Sequence, residues 1–174
     1  LAFRNGTLAS DSLCCDGNQS IVSKKGKKLF KAKNGNLISA TGMYALVFPL
    51  AQKLTKKPSK ILPDGTIKIN VTNSLQPTEG IIVEVISKEM AVIHEGGGHW
   101  ILNISEFFAF GSGADVARGA MMNGASAEEA IRIASGVDLF TGGDVQILTL
   151  SKTSRKPKKW HEKSETTARN TITM

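Results

Sequence analysis

The sequence has 174 residues, and no apolar run in it approaches the roughly 18–20 residues that span a bilayer. That argues against a transmembrane protein. Its first residues, LAFRNG, lack the basic and apolar regions of a secretory leader. The two cysteines, Cys14 and Cys15, are adjacent and offer no spaced disulfide framework, so the expected setting is reducing and cytoplasmic. Structural zinc needs four ligands in pairs, and these are missing. No repeat recurs at solenoid periods. What remains is ordinary globular composition, 41% hydrophobic and 21% charged, on a length suited to one domain with a sizeable core.

The net charge of +7 is unevenly spread. Residues 24–33, KKGKKLFKAK, carry six lysines and no acid, and residues 152–174 carry seven basic residues against two acidic ones. Such clusters can hold phosphate backbones, which makes nucleic acid a possible partner through the basic tail. Far more often they are the composition of a solvated face or a loose tail, so nucleic acid is not the favoured partner.

The chain reads as strands, a helix, strands, two helices and a closing strand. Residues 1–4 and 7–12 form a hairpin around Asn5-Gly6, a pair that tolerates positive φ. Residues 29–32 and 37–41 form a second around Asn34-Gly35. Gly42 opens MYALVFPLAQKLTKK (43–57), apolar enough for a helix lying on a sheet despite Pro49. Ile67, Ile69 and Val71 alternate with polar residues as in a strand. Residues 80–86, 90–94 and 107–110 are β-rich, and residues 145–150 read as the closing strand. Residues 114–123 and 127–135 are helical, the second opening on a capping box of Ser126 and Glu129. Met121 and Met122 read as core. Strands grouped between helices imply an α+β domain with sheets faced by helices, over residues 1–151, and a basic extension over 152–174.

Four segments carry a resemblance. TLASDS (7–12) is similar to the early strand of proteasome β subunits and HslV, which ends in Asp-Ser. KKLFKAKNGNLISATG (27–42) resembles the following hairpin, and FAFGSGADVARGAMMNGASAEEAIRIAS (108–135) the Gly-Ser-Gly turn with its two helices. DLFTGGDVQIL (138–148) is similar to the Asp-x-x-Ser-Gly-Gly segment and last strand. In this order they cover about half the chain. They point to an N-terminal-nucleophile hydrolase, and the short length resembles compact bacteriophage-type members.

The resemblance implies a four-layer αββα sandwich of two antiparallel sheets and a threonine-type peptidase assembled from identical subunits. It needs no cofactor and no metal. A Thr at the mature N-terminus attacks the peptide carbonyl, with its own α-amine as base. By resemblance, Lys28 keeps the local field positive, with Lys25 as the alternative. Asp11 orients the lysine, Gly42 offers its amide to the oxyanion, and Ser112, Asp138 and Thr141 hold the amine. Each has a plainer reading. Lys28 would be a solvated edge, Asp11 a turn residue, Gly42 a backbone device, Ser112 a helix cap, and 138–143 a helix-to-strand connection.

Two departures shape the expectations. Leu1 has no nucleophilic atom, and only four residues precede the Asn5-Gly6 turn, so a Thr a few residues upstream is expected. Without it the chain would be an inactive assembly or virion component with a basic tail. Residues 57–80 hold three prolines where the family has a second long helix, which weakens the case for double rings and for an ATPase partner. Elsewhere, His94, Glu95 and His99 in IHEGGGHW lack the helical spacing of a metalloprotease and read as a hairpin loop. Gly111-Ser112-Gly113 lacks the rest of a nucleotide-binding loop, and Cys14-Cys15 lacks a matched histidine.

Overall fold

The computed structural model describes residues 1–15, 20–69 and 80–151. In chain order its strands begin with β1 (Ala2–Arg4), β2 (Thr7–Ser10), β3 (Cys14–Cys15), β4 (Ile21–Ser23), β5 (Leu29–Lys31) and β6 (Leu37–Gly42). Helix α1 (Tyr44–Leu54) follows, then β7 (Lys60–Ile61), β8 (Ile67–Lys68), β9 (Gly80–Val85), β10 (Met90–Glu95), β11 (Gly98–Asn103) and β12 (Phe107–Ala109). Helices α2 (Ala114–Met122) and α3 (Ala127–Ser135) precede β13 (Gln146–Thr149). Val71 and the basic extension 152–174 lie outside the described residues.

The Asn5-Gly6 turn closes the first hairpin with φ of 52° and 82°, the two positive dihedrals that let a two-residue turn follow the strand twist. Around it forms an antiparallel sheet in the order β12-β1-β2-β13. The second sheet, also antiparallel, runs β11-β10-β9-β6-β5.

Strand alternation assigns the layers. Phe3, Leu8 and Phe108 of the first sheet meet Leu29, Leu37, Val83, Val85 and Ile93 of the second, forming the core between the sheets. Their neighbours Ala2, Ala9 and Ala109 face the other way, onto Ala117, Met121, Ala127, Ala130, Ile131 and Ala134 of α2 and α3. Ile38, Ala40 and Ile82 likewise turn outward onto Val47, Phe48, Ala51 and Leu54 of α1. The result is the α+β architecture expected, helices outside two stacked antiparallel sheets. Alanines on both sides of one layer let α2 and α3 lie close to their sheet. Pro49 stays within α1 because it faces solvent, where the carbonyl it leaves without a partner can meet water.

Met122 is a correction: Met121 is fully buried, but Met122 is 76% exposed. Successive helical residues point about 100° apart, so one narrow face cannot hold both. A hairpin of β7 and β8 occupies part of 57–80, and residues 70–79 lie outside the described residues.

Candidate active site

Asp11 directly follows β2 and Lys28 directly precedes β5, so the pair joins one sheet to the other. The Lys28 ammonium donates to both Asp11 oxygens, at 3.0 and 2.9 Å. Both side chains are largely sheltered, 13% and 8% exposed, which makes the attraction stronger than that of a surface pair. Asp11 Oδ2 also accepts from the amides of Leu13 at 3.0 Å and Gly142 at 3.3 Å. The Lys28 backbone is held as firmly. Its amide donates to Gln146 Oε1 at 3.0 Å, and its carbonyl accepts from Ser39 Oγ at 3.1 Å.

A second cluster stands on the turn before α2 and the segment after α3. Ser112 Oγ and Thr141 Oγ1 both donate to Asp138 Oδ2, each at 2.6 Å. Burial by itself would raise the Asp138 carboxyl, but these two hydroxyls and the Phe140 amide outweigh it and hold the group below its usual range. A side chain at Gly113 would start 2.6 Å from Thr141 Oγ1, so this turn reaches Thr141 only as glycine.

The two clusters share a small cavity of about 40 Å³, lined in part by Leu1, Asp11, Lys28, Thr41, Gly111, Ser112 and Thr141. It has room for about one or two waters. The start of β1 reaches it: the Leu1 nitrogen donates to the Phe110 carbonyl at 2.9 Å, and the Phe110 amide donates to the Leu1 carbonyl at 3.0 Å. An α-amine at that nitrogen is lowered to about 6, mainly because burial strips its water. Asp11 pulls it back up and Lys28 pushes it further down.

The layered fold has counterparts among solved structures. BPH of Thiobacillus denitrificans superposes with a TM-score of 0.59 at 17% identity, over 87% of this chain and 97% of that one. The same protein in complex with epoxomicin gives 0.59 and 17% over 86% and 97%. Eukaryotic HslV from Trypanosoma brucei gives 0.58 and 20% over 85% and 97%. The fold is that of the HslV/proteasome-like N-terminal-nucleophile hydrolases. No protein-family model and no curated protein matches the sequence.

Within this HslV/proteasome-like fold, five of the six residues singled out from the sequence fall into the two joined clusters: Asp11, Lys28, Ser112, Asp138 and Thr141. Gly42 does not line the cavity. It ends β6 with a φ of 118°, and α1 starts two residues later at Tyr44, so the residue facing the cavity from this strand is Thr41. Lys25, the alternative to Lys28, is exposed. The lysine run is divided among several surroundings: Lys27 stands over the Phe30 ring, Lys31 donates to Ser151 Oγ, and only Lys28 reaches Asp11.

Sequence reasoning missed Thr41, Gly111 and Gln146. Thr41 was read only as the end of the strand 37–41, and Gly111 only as part of a turn. Gln146 was read only as part of the closing strand 145–150, yet its carboxamide ties β13 to the backbone at the start of β5. His94 is fully buried with Nε2 3.6 Å from Glu84 Oε2, while Glu95 and His99 are exposed at the β10–β11 turn. Cys14 is buried and Cys15 half-buried, both as free thiols. Burial pushes the Cys14 thiol up, which makes it a poor nucleophile.

Proposed function

We propose that the protein is a proteasome-like threonine-type peptidase whose nucleophile is a Thr just upstream of Leu1, and that it works as a self-assembled oligomer. The observation that carries this is the sheltered Asp11–Lys28 pair beside the start of β1, in one cavity with the Ser112–Asp138–Thr141 cluster. In β1 and β2, Ala2 pairs with Ala9, so a residue continuing the strand ahead of Leu1 comes level with Asp11. That is where the nucleophile is needed.

In this reading the Thr hydroxyl attacks a peptide carbonyl, its proton passes to the α-amine, and the amine returns it to the leaving nitrogen. Water then hydrolyses the ester by the same route. Lys28 keeps the amine unprotonated and favours the alkoxide, and Asp11 fixes the lysine. Asp138, with Ser112 and Thr141, holds the amine in place. In this reading the amide of Gly42, next to the cavity-lining Thr41, is the oxyanion donor, from its place ahead of α1, where backbone N–H groups and the helix dipole favour negative charge.

The test is the intact mass and N-terminal sequence of the purified full-length protein, followed by fluorogenic peptide cleavage. The expected result is a mature chain opening on Thr, cleavage by the wild type, and a loss of about 10²-fold or more in Lys28→Ala. Lys24→Ala, an exposed lysine of the same run, should retain full activity. A Thr-opened chain that cleaves no peptide would overturn the reading in favour of an inert scaffold, and cleavage unaffected by Lys28→Ala would overturn the role given to Lys28.

A further inference from the structure

At the C-terminal end of α1 lies a second, larger cavity of about 460 Å³. Five lysines line it: Lys33 from the β5–β6 turn, Lys56 and Lys57 after α1, Lys60 in β7 and Lys68 in β8. All five are exposed, and among the described residues no carboxylate lines the cavity. Two nearby acids are engaged elsewhere. Glu84 is fully buried and accepts from the Ser59 amide and from Asn36, while Asp64 accepts from Thr66 within its own turn.

The cavity wall is fixed. Asn34 and Asn36 each donate to the Ser59 carbonyl at 3.0 Å, and the Ser59 amide donates to Glu84 Oε1 at 2.8 Å. This fastens the segment 57–60 to the sheet and holds its lysines toward Lys33 and Lys68. A helix C-terminus accounts for Lys56 and Lys57, since cations there meet the negative end of the dipole. It does not account for Lys33, Lys60 and Lys68, which come from other elements, Lys60 directly opposite Lys68 in the β7–β8 ladder, and like charges gathered around one cavity repel one another.

The chemistry narrows the ligand. Paired recognition of carboxylates favours arginine, and none lines the cavity, whereas lysine binds phosphate as a point charge. Among the described residues no aromatic side chain lines the cavity to stack a base of a nucleic-acid strand. The volume lies in the range of small-molecule sites, about 300–1,000 Å³. We propose that this cavity binds a small ligand carrying two or more linked phosphate groups. The ligand relieves the repulsion among the lysines, and its linked phosphates reach lysines on more than one element.

Calorimetric titration of the full chain with inorganic tripolyphosphate tests this. Saturable binding at one site per chain is expected, at least about tenfold tighter than orthophosphate. The Lys57→Ser/Lys60→Ser double variant should weaken it by about tenfold or more, and Lys24→Ser/Lys88→Ser, with the same charge change, by less than about twofold. Absence of saturable binding would overturn the proposal, as would equal weakening by the two double variants, which would mean diffuse charge. A single-stranded oligonucleotide bound through these lysines that tripolyphosphate does not displace would also overturn it, in favour of a nucleic-acid surface.

Discussion

At the scale of single residues, the two clusters differ in how they hold their carboxylates. Asp11 is met by an ammonium and two amides, whereas Asp138 relies largely on hydroxyls that can be removed without leaving a charge unpaired. Replacing Ser112 with Ala and Thr141 with Val removes both donors, so the Asp138 pKa should rise, which carboxyl NMR titration reads directly. Because the folded value is depressed, the stability the hydroxyls contribute is present above the ordinary carboxylate range. It is lost as the pH falls through the lowered value. The wild type and the double variant should therefore differ most near neutrality and converge in acid, as read by urea unfolding across pH. Much of this grouping was legible only through the family resemblance, which short motifs carry, Asp-Ser after a strand and Gly-Ser-Gly before a helix; read alone, the same residues are a turn and a helix cap. Thr41 and Gln146 were not, since their roles come from which strand edges meet, and no local spacing records that.

At the scale of elements, legibility followed the strength of local signals. The Ser126–Glu129 capping box marked the start of α3, and both of its reciprocal hydrogen bonds are present. Ser126→Ala should cost about 1 kcal/mol in chemical denaturation, because a backbone amide then loses its partner. Strand β11 went unread because most of it, including Trp100 and Ile101, is exposed, so it shows no buried alternation. Strands β3, β4 and β7 escaped because two or three residues are too few to display a period, whereas β8 falls within the alternating run read as a strand from Ile67. The layer assignments were more robust. Leu37 and Val83 face the other sheet while Ile38, Ala40 and Ile82 face α1, as required of strands covered by a helix on one side and a sheet on the other.

At the scale of the whole molecule, the inter-sheet core carries the cohesion. Phe3 is fully buried and stacks on Phe108 with ring centroids 5.2 Å apart, at the centre of the first sheet's inner face. Phe3→Ala should cost about 3–5 kcal/mol in urea unfolding, since neighbours on two sheets cannot both collapse into the space. The seam beside this core has a consequence of its own. Gln146 of one sheet takes the amides of Lys28 and Leu29 from the other, and Asp11 and Lys28 face each other across the same line. Breathing that parts the two sheets along this line frees the Lys28 and Leu29 amides and separates the charge pair together, so the exchange rate of those two hydrogens is a clock for how often the seam opens.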